Sequence, residues 1–183
     1  PQPSAIFKYP QIKDSDVVIV SRNADADFKN FVRERLLESD DYGVERYFDG
    51  IITFKKGLKG KFKDIIKTDQ VSLLAGNFLR FNDELQLINS TIDKKEYKRN
   101  DVIRVTLSWK VLKRIENDYW FIIRLKKFGA TIKEYVHEPF YGFFPTSEWE
   151  VGGIYKDDLE LHIPSTAILS YEPIFMEIYA VKP

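Results

Sequence analysis

A chain of 183 residues with 44% apolar and 15% aromatic side chains can bury a real core, which excludes a disordered segment. Its 28 Lys and Arg balance 28 Asp and Glu, so no global field draws in nucleic acid, and that partner class is set aside. Cysteine is absent, which rules out disulfides, thiolate zinc sites and thiol nucleophiles.

The chain opens Pro1-Gln2-Pro3 without an initiator Met, so a processed chain or a fragment is expected. No apolar run reaches the length of a membrane span, and no signal peptide is recognised. Val17-Val18-Ile19-Val20 is a short β-branched run that suits a strand covered on both faces. From Asp27 to Glu38 the pattern turns helical, with Phe28, Phe31, Val32, Arg35 and Leu36 on one stripe. Asp49-Gly50, between Arg46-Tyr47-Phe48 and Ile51-Ile52-Thr53-Phe54, predicts a tight hairpin. The lysine-rich stretch 55–63, broken by Gly57 and Gly60, reads as a connector.

Beyond it the pattern is β almost throughout. Strands at 78–81 and 85–88 flank the turn Asn82-Asp83-Glu84. Residues 101–111 alternate cleanly, with Ile103, Val105, Leu107, Trp109 and Val111 on one face. Residues 119–126 are apolar on both faces until Arg124, as in a central strand, and Phe128-Gly129 turns the chain into 131–137. A long loop is expected over 138–158, followed by strands around Leu159–Ile163 and Ile174–Val181, with an irregular stretch between Pro164 and Pro173. The predicted fold is mainly β: an antiparallel β-sandwich, jelly-roll or Ig-like, over 66–183, preceded by a small α/β subdomain over 1–65.

Two stretches carry a resemblance. The first joins Ile6-Phe7-Lys8-Tyr9-Pro10 and Asp16-Val17-Val18-Ile19-Val20 to Tyr42-Gly43-Val44 and the segment Asp49-Gly50 through Gly57. The second is Phe143-Phe144-Pro145-Thr146-Ser147-Glu148-Trp149 through Gly153, followed by Asp157-Asp158-Leu159 through Pro164. Together they cover about half the chain. They resemble the soluble C-terminal region of a family of polytopic prokaryotic membrane proteins without assigned function, similar in layout to membrane glycosyltransferases that use lipid-linked sugars. Here Val17 stands where a tyrosine is usual, and Gly153 where an acid is common. The resemblance implies an extracytoplasmic domain tethered to a membrane, and it implies no catalytic residues.

The residues themselves show no catalytic signature. His137 and His162 lie in neither a metal motif nor a nucleophile elbow, and a surface position is expected for each. Gly57-Leu58-Lys59-Gly60-Lys61 lacks the spacing of a phosphate loop. Glu150, Asp157 and Asp158 offer loop oxygens that suit Ca²⁺, without EF-hand spacing. Tyr141, Trp149 and Tyr155 belong to an aromatic-rich loop whose ring faces suit sugar stacking. The alternative for that loop is structural: Trp149 and the Phe143-Phe144 pair cap the open end of the core while Thr146 and Ser147 bond the loop backbone. Asn89-Ser90-Thr91 fits a glycosylation sequon, relevant to an exported chain. The expected function is a non-catalytic, extracytoplasmic accessory module that contacts cell-envelope glycan or a partner protein. A catalytic glycosyl-transfer or hydrolase domain and a purely structural spacer are the alternatives.

Overall fold

The computed structural model describes residues 12, 15–69, 79–94, 96–167 and 173–182. Residues 6–10 of the resemblance, Phe78 of one expected strand and residues 168–172 of the irregular stretch lie outside them. The chain divides into two compact units, Pro1–Lys67 and Thr68–Pro183.

In the first unit, β1 (Val17–Ser21), β2 (Tyr42–Phe48) and β3 (Ile51–Lys56) form an antiparallel sheet in the order β1-β3-β2. The β2–β3 hairpin turns on Asp49 and Gly50, both at positive φ (51° and 69°), the geometry that an Asp-Gly pair accepts most readily. Helix α1 (Ala26–Phe31) starts at Asp25, whose carboxylate accepts the Phe28 N–H at 2.8 Å. Its last turn widens into a π turn over Val32–Leu36, closed by Leu37 N–H on the Val32 carbonyl. The extra residue lets Leu36 and Leu37 both bury, beside Phe31 and Val32.

Two expectations for this unit need correction. β1 is not covered on both faces: Val18 and Val20 are buried, whereas Val17 and Ile19 alternate outward on an edge strand. Nor is 55–63 a simple connector. Lys55 and Lys56 finish β3, and Phe62 and Ile66, one helical turn apart, bury one side of the short helix α2 (Phe62–Ile66). Residues 58–60 run against β2 so closely that a Cβ on Gly43 would sit 2.3 Å from the Leu58 carbonyl oxygen. Only glycine fits there, which gives the Tyr42-Gly43 pair a packing explanation.

The second unit is mainly β and sandwich-like. One sheet runs β4 (Leu79–Phe81), β5 (Leu85–Ile92), β6 (Val102–Val111) and β9 (Ile154–His162) in that spatial order. The other places β7 (Trp120–Lys127) between β10 (Phe175–Val181) and β8 (Ala130–His137). All pairings are antiparallel.

Alternation fills the interior. Ile103, Val105, Leu107, Trp109 and Val111 of β6 are buried, as are Phe121, Ile123 and Leu125 of β7. Trp109 stacks on Phe121 with ring centroids 4.3 Å apart, joining the two sheets. A polar chain closes one corner: Asn82 Nδ2 donates to the Tyr119 hydroxyl, which donates to Glu84, and Lys182 also binds Glu84. Tyr119 and Lys182 hold the Glu84 carboxyl below its ordinary range by hydrogen bonding to its charged form.

Candidate functional site

Between β8 and β9 the chain does not form the long open loop expected over 138–158, because β9 begins at Ile154. The remaining stretch is a compact plug. Pro139–Gly142 is a turn with three consecutive left-handed residues: Phe140 (φ 51°), Tyr141 (φ 54°) and Gly142 (φ 79°). Left-handed backbone costs about 1–2 kcal/mol per non-glycine residue, so two aromatic residues in a row must be held there by their surroundings.

Asp157 supplies much of that hold. It is 0% exposed and His137 is 5% exposed, which corrects the expectation of a surface histidine at 137. One carboxylate oxygen of Asp157 lies 2.7 Å from His137 Nε2, and the other accepts the Phe140 N–H at 2.9 Å. Because Tyr155, Leu159 and Leu161 point inward, the period of two places Asp157 inward as well, where a lone carboxylate would be costly. His137 ends β8 and Asp157 lies in mid-β9, so the pair ties one sheet to the other across the turn. Tyr141, half-buried, meets the His137 ring edge-on at 5.3 Å. Among the described residues the polar partner of His137 is Asp157. His162, by contrast, is exposed as expected.

The rest of the plug is built on Trp149. Trp149 is 3% exposed and Tyr155 is 1% exposed; their rings stack at 4.8 Å, and Phe140 meets Trp149 edge-on at 5.6 Å. Neither ring keeps a face for a sugar, so the geometry supports the structural alternative for both. Trp149 Nε1 donates to the Phe144 carbonyl, and Tyr155 Oη accepts the Glu150 N–H. Thr146 Oγ1, fully buried, accepts the Tyr119 N–H, and Ser147 N–H donates to Asp118. Thr146, Ser147 and Trp149 therefore close the core end or anchor the loop.

The three acids read as a calcium set do not converge. Asp157 points inward, its neighbour Asp158 takes the opposite face of β9 and accepts from Thr106 Oγ1, and Glu150 is exposed on the turn before the strand. Among the described residues no group of three or more acids and histidines gathers in a way that could hold a metal ion. Asp158 has a carboxyl raised above its ordinary value, by burial first and by the nearby Asp157 charge second. The sequon residue Asn89 sits within β5, half-buried, with its side-chain oxygen enclosed.

A second surface was not singled out in the sequence. Residues 119–126 do supply a central strand, but only one face of it is buried. Trp120, Ile122, Arg124 and Lys126 alternate outward on β7 and stay half-buried. On the flanking strands Val136 and Phe175 are each 61% exposed and Tyr179 is 42% exposed. Register places Ile122 between Val136 and Tyr179, and Arg124 between Glu134 and Glu177. Arg124 bonds Glu134 at 2.6 Å and lies over the Tyr179 ring at 4.9 Å, while Lys126 bonds Glu177 at 3.0 Å. The result is an open sheet face with an apolar, aromatic half and a row of paired charges. Its signal in the sequence was Trp120 and Ile122 alternating with buried neighbours opposite Tyr179 and Val181.

No family model, curated protein or solved structure matches the chain. Among the described residues no helix is long and apolar enough to cross a membrane.

Proposed function

We propose that the chain is a non-catalytic binding module of a membrane-anchored protein, positioned outside the cytoplasmic membrane, and that it binds glycan on the open face of β10-β7-β8. The observation that carries this reading is the outward row Trp120, Ile122, Val136 and Tyr179 beside the Arg124–Glu134 and Lys126–Glu177 pairs. Sugar rings offer apolar C–H faces and rings of hydroxyls. Exposed aromatic rings take the first, and fixed carboxylates and a guanidinium take the second. The resemblance to the soluble region of polytopic membrane proteins supports the extracytoplasmic, tethered setting. Exposed apolar side chains gathered on one face also have a general meaning, since contiguous patches of this kind mark interaction sites.

The test is calorimetric titration with a panel of cell-envelope oligosaccharides. Trp120→Ala and Tyr179→Ala should each weaken binding about tenfold or more while leaving the circular dichroism spectrum and the melting temperature nearly unchanged. Binding that survives both substitutions would reject the face as the site. A panel with no binder at all would reject the glycan reading and leave the same face to a protein partner.

A further inference from the structure

A separate feature lies in the first unit. β1 is an edge strand whose five residues, Val17-Val18-Ile19-Val20-Ser21, carry no charge. Natural edge strands are normally guarded by charge, proline, a bulge or a covering element, because their free N–H and C=O groups template pairing with another strand. β1 has none of the first three, and among the described residues nothing pairs with its outer side. Ile19, 68% exposed, and Val17, 45% exposed, stand on its open face.

We propose that β1 pairs antiparallel with β1 of a second copy of this chain, joining two three-stranded sheets into one of six strands. The backbone sets the register. Lys56 N–H bonds the Asp16 carbonyl, so even-numbered residues of β1 direct their backbone groups toward β3, and Val17, Ile19 and Ser21 direct theirs toward the free edge. A two-fold axis at Ile19 is the register that engages all three: Ile19 pairs with itself, and Val17 with Ser21 of the second copy. The same register sets Val18 opposite Val20, keeping buried side chains on the buried face. At both ends it sets Asp16 opposite Arg22, whose guanidinium already bonds Asp49 at 2.7 Å within its own chain, so no like charges face each other across the axis. Moving the axis to Val18 or Val20 still sets outward-facing residues opposite one another but leaves Ser21 or Val17 without a strand partner, and moving it by half a residue sets outward-facing groups opposite inward-facing ones and loses the ladder.

Analytical ultracentrifugation of the whole chain over a concentration series should show a reversible monomer–dimer equilibrium. Ile19→Lys should raise the dissociation constant about tenfold or more, with an unchanged circular dichroism spectrum because the side chain is exposed. Register is tested by cross-linking. The chain has no cysteine, so Ile19→Cys introduces its one thiol, and the axis brings two copies of it together. Mild oxidation should give a single disulfide-linked dimer for Ile19→Cys far faster than for Ile51→Cys, one strand away on the same face. A monomer throughout the series, a dimer indifferent to Ile19→Lys, or equal cross-linking of the two cysteine variants would each overturn the proposal.

Discussion

The second unit holds two aromatic collections with opposite fates. In the plug between β8 and β9, Phe140, Phe144, Trp149 and Tyr155 turn their rings onto one another and are buried. On the outer face of β10-β7-β8, Trp120, Phe175 and Tyr179 remain wholly or partly open to solvent. Composition does not separate them, since both are rich in rings and flanked by acids. What separates them is backbone. A chain that doubles back through a left-handed turn drives its rings into the end of the core, whereas a regular sheet sends every second ring to the opposite face.

The sharpest way to break this contrast is Trp149→Ala. If Trp149 closes the core, its loss costs about 3–5 kcal/mol, the range for a buried aromatic residue, and shifts the denaturant midpoint accordingly. A folded, equally stable variant would place Trp149 on the binding side of the comparison instead. Next in size is Asp157→Ala. It leaves His137 and the Phe140 N–H without their acceptor in a buried setting, and a loss of about 3 kcal/mol is expected in chemical denaturation. Protection of the Phe140 amide from hydrogen exchange should fall in the same variant, because Asp157 is its bond partner.

Asp158 sharpens the comparison from the other face of β9. Its carboxyl is raised by burial from the ordinary value of 3.8, so the folded state penalises the charged form. That penalty is fully present at neutral pH, is relieved as pH falls through the raised folded value, and is gone below 3.8. Asp158→Asn should therefore stabilise the chain at neutral pH, with a gain that shrinks in acid. Glu84 acts with the opposite sign. Its lowered carboxyl stabilises the fold above the ordinary value of 4.5, and that contribution disappears as pH falls through the depressed folded value. Thermal melts of wild type, Asp158→Asn and Glu84→Gln across the acid range check the two signs separately: the gain from Asp158→Asn and the loss from Glu84→Gln should both shrink toward low pH, and either one growing there would contradict its assignment.

Much of the fold could be read from the residues. Asp49-Gly50 and Phe128-Gly129 turn where expected, both with positive φ, and the alternation of Ile103 through Val111 gives β6 its buried face directly. The site was less legible for physical reasons that differ residue by residue. Asp157 sits at an inward position of β9, and a carboxylate there makes the strand look as though it starts at Leu159. Its acceptability depends on His137 and the Phe140 amide, partners 20 and 17 residues away in sequence. Phe140 and Tyr141 give no warning of positive φ, since only Gly142 carries the usual signal for it. Val17–Val20 reads as doubly covered because its residue types are uniform. Which face stays bare depends on how few strands lie beside it, which local pattern does not record.

A two-dimensional amide NMR titration with a binding oligosaccharide locates the ligand on the chain residue by residue. Binding on the open sheet should cluster shift changes on Trp120, Ile122, Arg124 and Tyr179 and leave 140–155 nearly still. Changes concentrated on Tyr141, Trp149 and Tyr155, with a silent β10-β7-β8 face, would contradict it.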